Sequence, residues 1–247
     1  MLLLEADPDL ASDLPEAELE LARTQSMVRV IEIGGRKWNP APLVRASRPG
    51  WLGLFLLRGV LIRRVMVGKR TACELFGPGD VFRPWDADGE YEPLPITLDW
   101  LVLRPSRLAV LDTAFSMRMV RWPTITSRLV ERVAQRARYL ALTQAVTHLP
   151  RTHSRLLILF WLLADRWGRM GHDGVRVRLP LTHTTLAMLV GSQRPSVTLA
   201  LQRLTRAELL IREGEDRWLL TRRAIELLDD PESLAVVEDQ VREGEEA

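Results

Sequence analysis

Cysteine and histidine are scarce in this chain. Its 247 residues include one cysteine, Cys73, and four histidines, all of which lie in the second half of the sequence. A single cysteine excludes an internal disulfide, and it excludes a zinc ribbon or iron–sulfur cluster held by cysteines alone. We interpret Cys73 as a small buried side chain, with a redox-sensing thiol as the alternative. The composition therefore predicts no metal site and no cofactor.

Long hydrophobic runs are also missing. No stretch approaches the roughly 18 consecutive apolar residues of a membrane helix, and the N-terminus lacks the pattern of a secretion signal. With 47% hydrophobic and 27% charged residues, the composition is that of an ordinary globular protein. We therefore expect a cytoplasmic protein with no membrane partner.

Charges of opposite sign are separated along the chain. Residues 151–223 carry thirteen arginines against six acidic residues, whereas residues 5–20 and 226–247 are acidic. The net charge of the whole chain is only +2. A basic block confined to one segment indicates a polyanionic partner for that segment, and a solvated charged surface is the alternative.

The first half of the chain has the pattern of short strands. Strand-like apolar segments occur at residues 28–33, 52–57, 60–67, 100–103 and 108–111. Turn signals separate several of them, at Arg58-Gly59, at Gly68-Lys69 and at residues 104–107. Many short strands at regular turn spacing predict a sandwich or a barrel.

A long helix is predicted over residues 123–148. Pro123 suits the first turn of a helix, and apolar residues follow it at spacings of three and four. This stripe consists of Ile125, Leu129, Val133, Ala137 and Leu140. Such a broad apolar face packs either on its own domain or against the same helix of a partner chain.

Two shorter helices are predicted within residues 182–204. Thr182 is a candidate N-cap for the first, and Gly191 sits where a left-handed turn residue is needed between them. Ser192 and Gln193 can cap the second helix, which has Pro195 in its first turn. The buried stripe of the second helix is formed by Val197, Leu201 and Leu204.

The surrounding segments complete a winged helix-turn-helix pattern. We predict a buried helix over 156–163, a glycine-rich loop over 168–174, a strand over 175–179 and two strands around a turn at 214–216. The second helix leaves five side chains facing outward, namely Gln193, Arg194, Ser196, Leu199 and Arg203. An exposed helix of this size fits the major groove, where an arginine can bind a guanine edge. The pattern predicts binding to double-stranded DNA, and a helical hairpin without a ligand is the alternative.

These residues resemble the Crp/Fnr family of bacterial transcription regulators. The matching segments are Leu181-Thr182, Leu186-Ala187 and residues 190–197, while residues 54–59 and 75–82 look like the family's sensory β-roll. The resemblance implies an α+β fold: an N-terminal antiparallel β-roll of the jelly-roll type, a long dimerisation helix and a C-terminal winged helix-turn-helix. The implied division is an acidic leader (1–22), a sensory domain (23–113), the dimerisation helix (114–149), the DNA-binding domain (150–225) and an acidic tail (226–247).

The resemblance also implies a function and a set of contacts. A homodimer would bind a near-palindromic DNA site, with RNA polymerase as a further candidate partner. Arg194 aligns with the family's guanine-reading arginine, but Pro195 and Leu199 depart from the family's pattern, so its familiar half-site is not expected. The expected DNA-contacting residues are Thr182, His183, Gln193, Arg194, Ser196, Thr198, Leu199 and Arg203. The expected dimerisation residues are Ile125, Leu129, Val133, Ala137 and Leu140.

The sensory domain lacks the family's signature for cyclic nucleotides. Members that bind them carry a Gly-Glu pair and then an arginine soon after a Gly-Asp turn. Here Gly89-Glu90 comes later than expected after Gly79-Asp80, and no arginine follows before Ile96. Because an anionic phosphate needs a cationic partner, cyclic AMP is not the expected effector, although Arg83 is a candidate substitute. The effector is unknown, and the tryptophans of this region are either core aromatics or the lining of an apolar pocket: Trp38, Trp51, Trp85 and Trp100.

The sequence leaves three alternatives open. The same scaffold can act without a ligand, controlled by its abundance. The winged helix can bind another protein instead of DNA. A β-roll enzyme with a helical accessory domain is the third, but no acid–base pair, nucleophile, phosphate loop or metal set supports it, so we expect no catalytic activity.

Overall fold

The computed structural model of the chain describes residues 1–84 and 94–228. These residues form two compact units, the first comprising Met1–Arg138 and the second beginning at Tyr139. Residues 85–93, with Trp85 and the Gly89-Glu90 pair, lie outside the described residues. So does most of the acidic tail, from residue 229 onward.

The first unit is built on an antiparallel sheet. Its strands are β1 (Arg29–Ile33), β2 (Lys37–Trp38), β3 (Gly53–Val67), β4 (Arg70–Phe76), β5 (Val81–Phe82) and β6 (Ile96–Leu111). They run in the order β1-β6-β3-β4, with β2 paired to β6 and β5 paired to β3. Helix α3 (Ala41–Ala46) lies between β2 and β3. The predicted turn at Gly68-Lys69 is confirmed, because Val67 pairs with Arg70 across a two-residue connection.

Strands β3 and β6 are each continuous where the sequence predicted a break. The turns expected at Arg58-Gly59 and at residues 104–107 are wrong, since both segments lie inside one long ladder with irregular register. Gly59 adopts a φ of 101°, and a Cβ there would lie 2.6 Å from the carbonyl oxygen of Pro105. The glycine and the proline therefore form two sides of a single bulge. Residues that usually form turns form a bulge here, because Gly59 of β3 and Pro105 of β6 lie opposite each other in the ladder.

The acidic leader is helical and packed. It forms α1 (Leu3–Ala6), a 3₁₀ turn (Pro8–Ala11) and α2 (Glu16–Gln25). Leu3, Leu4 and Leu10 are almost fully buried, in the same apolar cluster as Phe55 and Phe115. Part of the apolar content of this segment thus belongs to the core of the first unit, whereas Leu19 and Leu21 of α2 are exposed.

A second apolar cluster fills the other side of the sheet. Phe76 and Phe82 have ring centroids 4.5 Å apart, and Trp100 lies 5.0 Å from Phe76 and 5.2 Å from Trp38. Trp51 and Trp100 are buried, and Trp38 is partly buried against them. The interpretation of Trp38 and Trp100 as core aromatics is confirmed, whereas Trp51 is buried in this cluster and also lines a cleft beside α3.

Two helices follow the sheet. In α4 (Thr113–Met119) the N-cap is Asp112, whose carboxylate accepts a hydrogen bond from the backbone N–H of Phe115. The predicted long helix is confirmed as α5 (Pro123–Thr147). Only the start of its apolar stripe is buried, at Ile125 and Leu129.

The second unit combines helices with a small sheet. Its elements are α6 (Thr152–Trp167), β7 (Gly168–Met170), β8 (Gly174–Arg178), α7 (His183–Leu189), α8 (Arg194–Arg206), β9 (Leu210–Arg212), β10 (Arg217–Thr221) and α9 (Arg222–Leu228). The strands run in the order β7-β8-β10-β9. The loop expected over 168–174 is partly wrong, because residues 168–170 pair with β8 and leave only a short turn. The α+β fold class, with an antiparallel sheet followed by a helix-turn-helix, is confirmed.

The bulge at Gly59 gives a test of the fold. We expect Gly59→Ala to lower the free energy of unfolding by at least about 2 kcal/mol, because the added methyl group meets the backbone of Pro105 and the φ is positive. Gly68→Ala is the matched control: it also has a positive φ but has no atom within 4 Å of its Cβ. The control should lose only about 1 kcal/mol. Equal losses for the two variants, measured by denaturant unfolding, would contradict the close approach of β3 and β6.

Candidate nucleic-acid interface

The connection between α7 and α8 is a tight, well-defined turn. Thr182 caps α7, because its hydroxyl accepts a hydrogen bond from the backbone N–H of Thr185 at 3.1 Å. Gly191 has a φ of 61°, and the N–H of Ser192 donates to the carbonyl of Ala187 at 2.9 Å. This is the Schellman arrangement, which needs a left-handed residue at the position of the glycine. The predictions of Thr182 as the N-cap of α7 and of Gly191 as the left-handed turn residue are confirmed.

An arginine on α6 holds this turn in place. Arg155 donates hydrogen bonds from Nη1 to the carbonyl oxygens of Val190 and Gly191, each at 3.2 Å, and from Nε to the carbonyl of Leu149. The hydroxyl of Thr152 on α6 also lies 3.2 Å from that of Ser192. Sequence reasoning missed Arg155, because no local motif links a helical arginine to carbonyl groups far along the chain.

Helix α8 buries one side completely. Val197, Leu201 and Leu204 have at most 7% of their surface exposed, and α8 packs against α6. In the same unit, Phe160 of α6 and Trp218 of β10 are buried, and their ring centroids lie 4.8 Å apart. The predicted buried stripe of α8 is therefore confirmed.

The opposite side of α8 is uncovered. Gln193, Arg194 and Ser196 are exposed at its first turn, and Leu199 has 48% of its surface exposed. Neither residue expected to cap α8 does so: Gln193 makes no capping hydrogen bond, and the hydroxyl of Ser192 lies beside that of Thr152. The first backbone N–H groups of α8 therefore lack a side-chain cap and lie beside an exposed arginine.

A cleft runs along the same side of α8. It has a volume of about 220 Å³ and lies between the start of α6 and the middle of α8. Its walls include Arg151 and Thr152 at the start of α6, and Ser196, Leu199 and Arg203 from α8. The structure thus brings Ser196, Leu199 and Arg203 together, and it adds Arg151 and Thr152, which the sequence pattern did not single out.

Two of the expected contact residues bind each other. The Nδ1 atom of His183 lies 2.9 Å from the hydroxyl oxygen of Thr198, which in turn donates to the carbonyl of Arg194. This bridge joins the start of α7 to the first turn of α8. Burial, together with the charges of Arg212 and Arg194, lowers the pKa of His183 below its ordinary value of 6.5.

The wing, which consists of β9, β10 and the turn between them, is stabilised by an arginine of β9. Arg212 of β9 donates hydrogen bonds to the carbonyl oxygens of Gly214 and Glu215, at 2.9 and 3.1 Å. Glu213 accepts hydrogen bonds from Arg176 of β8, which also binds Asp173. The predicted strands on either side of the turn are confirmed as β9 and β10, which pair in antiparallel fashion.

The described residues contain little that points to other chemistry. Within residues 1–84 and 94–228, no group of three or more histidine, cysteine or acidic side chains is placed to hold a metal ion. Burial raises the pKa of the Cys73 thiol to about 12, although Arg64 opposes this. A thiol that stays protonated at neutral pH is a poor nucleophile, which favours the interpretation of Cys73 as unreactive. No helix in the described part of the chain is long and apolar enough to cross a membrane.

The capped helix, the glycine turn, the uncovered α8 and the paired wing strands define a winged helix-turn-helix regulator of transcription that binds DNA. A family profile described as a Crp-like helix-turn-helix domain matches residues 151–229. The regulatory protein CysR of Synechococcus elongatus is 30% identical over 159 residues, which cover 63% of this chain and 68% of CysR. The chain belongs to the Crp/Fnr family of transcription regulators.

Solved structures share the fold over most of the chain. A CooA variant from Carboxydothermus hydrogenoformans aligns with a TM-score of 0.60 at 14% identity, covering 90% of this chain and 94% of CooA. FixK2 from Bradyrhizobium japonicum aligns with a TM-score of 0.58 at 14% identity, covering 82% and 96% of the two chains. At this level of identity the likeness extends to the fold alone.

The environment of His183 can be tested by titration. We expect this histidine to titrate below 6.5, and Arg194→Ala to raise its pKa because one nearby positive charge is removed. Arg169→Ala is the control, since that charge is not among those acting on His183. Histidine-selective NMR, with His183 assigned through His183→Gln, measures both shifts.

The same shift has a consequence for stability. Because folding lowers the pKa of His183, its contribution to stability is present above pH 6.5 and is lost as the pH falls toward the folded value. A His183 that titrates above 6.5 would contradict the partial burial of this side chain beside Arg212 and Arg194.

Proposed function

We propose that this chain acts as a homodimeric transcription regulator that places α8 in the major groove of a near-palindromic DNA site. The observation that carries the proposal is the uncovered first turn of α8, where Gln193, Arg194 and Ser196 are exposed beside uncapped backbone N–H groups. The N-terminus of a helix attracts phosphate, and an arginine there can bind the two acceptors of a guanine.

The expected contacts divide into base readers and backbone contacts. Arg194 is the proposed base reader, because it is exposed at the end of α8 that enters the groove. Ser196 and Arg203, together with Arg151 and Thr152 across the cleft, are proposed contacts to phosphates. Leu199 presents an apolar side chain at the middle of the exposed face, which suits contact with a thymine methyl group.

Two of the eight proposed residues have a supporting role. The hydroxyl of Thr198 and the imidazole of His183 bind each other, so we propose that they hold α7 and α8 in register and touch DNA only at their edges. Thr182 both caps α7 and stays exposed, so its hydroxyl remains accessible to a phosphate.

Dimerisation is proposed to use the exposed part of α5. Val130 and Val133 have 60% and 43% of their surface exposed, and Leu140 has 40%. With Ala134 and Ala137, which are also exposed, they lie on one side of the helix at spacings of three and four. An apolar side of this kind is stabilised by pairing with an identical helix. Ile125 and Leu129, by contrast, are buried in the first unit and are proposed only to anchor the helix.

The effector is proposed not to be a cyclic nucleotide. Arg63 of β3 and Arg136 of α5 both donate to the carboxylate of Glu74, which is buried beside Phe76. A cyclic phosphate that used these arginines would have to displace that carboxylate, at the cost of leaving a buried charge without its partner.

Arg194 is the residue to change first. A selection from genomic fragments with the wild-type protein should return an enriched near-palindrome, and Arg194→Ala should weaken binding to it by about 1–3 kcal/mol. Arg169→Ala is the matched control, because Arg169 lies on β7, at the opposite edge of the small sheet from the wing strand β9. If no palindrome is enriched, or if the two variants lose the same affinity, the proposed function is wrong.

The proposed pairing through the exposed apolar side of α5 can be tested separately from DNA binding. Val133→Glu should weaken the dimer by about 3 kcal/mol, roughly a hundredfold, because it places an unpaired charge in an apolar contact. Gln135→Glu adds the same charge on the other side of α5 and should leave the dimer intact. Light scattering over a dilution series measures both, and a dimer unaffected by Val133→Glu would show that α5 does not pair through this side.

A further inference from the structure

The first unit contains a second cleft, away from the Arg63–Glu74–Arg136 cluster. It has a volume of about 490 Å³ and lies between α3, the start of β1 and α4. Pockets of about 300 to 1,000 Å³ are typical of binding sites for small molecules. All residues that line it belong to the first unit and to the described part of the chain.

The walls of this cleft are apolar and shaped by buried side chains. Trp51 and Val110 form its floor, with only 9% and 4% of their surface exposed. Leu43 of α3 forms one side, and Met117 of α4, which has 69% of its surface exposed, forms the other. A flat or branched apolar group in the cleft would cover Met117 and the exposed edge of Trp51, which favours binding.

Two arginines line the same cleft, and the N–H groups of their guanidinium groups are available to a ligand. Arg29 lies on β1 directly opposite Val110 of β6, so both side chains belong to one face of the sheet. Arg48 follows α3 and also lines the cleft. Within the described residues, neither guanidinium makes an ion pair or a side-chain hydrogen bond. The one acidic group in the lining, Asp112, is occupied as the N-cap of α4, so the local charge favours an anion.

The wall that carries Arg48 and Trp51 is fixed before any ligand binds. Thr113 and Ser116 of α4 donate hydrogen bonds to the carbonyl oxygens of Pro49 and Gly50, at 2.9 and 2.6 Å. Arg83 donates to the carbonyl of Trp51 and lies over its ring at 5.9 Å. A site formed in advance loses less entropy on binding than one that must be ordered by its ligand.

We propose that this cleft binds a small organic anion whose apolar body packs on Trp51, Val110 and Met117 and whose charged group binds Arg29 and Arg48. Two guanidinium groups around one anionic group match a carboxylate or a phosphate ester. The bound molecule would contact α4, the helix that immediately precedes α5. The site depends on the first unit only and does not rest on the proposed DNA binding.

The test uses three naphthalene probes that differ in charge. The full-length protein, labelled with 5-fluorotryptophan, is titrated with 1-naphthylacetate, 1-naphthyl phosphate and the neutral 1-naphthylacetamide. The 19F resonance of Trp51, assigned through Trp51→Phe, reports binding at this cleft among the eight tryptophans. We expect the shift of this resonance to show that one or both anions bind at least about tenfold more tightly than the amide. The relative affinities of the two anions then distinguish a carboxylate site from a phosphate site.

Variants locate the charged group. Arg29→Gln and Arg48→Gln should each weaken binding of the favoured anion by about tenfold, because each removes a charge-assisted hydrogen bond. Arg45→Gln is the matched control: it removes an exposed arginine of α3 that does not line the cleft, and it should leave the affinity unchanged. Ala114→Trp, which fills the cleft, should abolish the shift without loss of the folded spectrum.

Three results would overturn the proposal. The Trp51 resonance would stay unmoved by both anions up to about 10 mM, a concentration at which even a weak site is occupied. Alternatively the amide would bind as tightly as the anions, or Arg45→Gln would weaken binding as much as the variants of Arg29 and Arg48.

Discussion

The helix proposed to read DNA can leave one side uncovered only because α6 holds the other. Val197, Leu201 and Leu204 each gain about 1.5–3 kcal/mol by burial, and that gain depends on the packing of α8 against α6. A short helix of thirteen residues would be marginal alone in water. The polar side of α8 therefore needs no contact of its own to stay in place, and its residues remain available to a partner.

The same dependence on α6 fixes the angle between α7 and α8. Gly191 permits the turn, but Arg155 determines where the turn lies, because it binds two of its carbonyl groups. The His183–Thr198 hydrogen bond adds a third connection, between the start of α7 and α8. Three connections of different chemistry thus orient the first turn of α8, and a site that must match base edges needs this degree of preorganisation.

The parts of the structure that the sequence predicted well are those encoded by neighbouring residues. The spacing of apolar residues located α5 and α8, and the Thr182 cap and Gly191 located the turn between α7 and α8. Both strands of the wing followed from the turn signal at residues 214–216. The features that the sequence did not predict depend on contacts between distant segments. Gly59 and Pro105 signal turns individually and a bulge only as a pair, while Arg155 and the buried leucines of the leader carry no local pattern.

Helix α5 has different surroundings at its start, in its middle and at its end. At its start, Ile125 and Leu129 are large and buried in the first unit. Further on, the exposed side is made of valines and alanines, whose small size lets another helix approach closely. At its end, Thr147 lies against Gly191, with its Cβ 3.6 Å from the position a Cβ would take there. A single helix thus starts in the apolar core of the first unit, exposes an apolar side and ends against the turn that precedes α8. In the proposed dimer, a change in how the two α5 helices pair would therefore act on the turn that orients each α8.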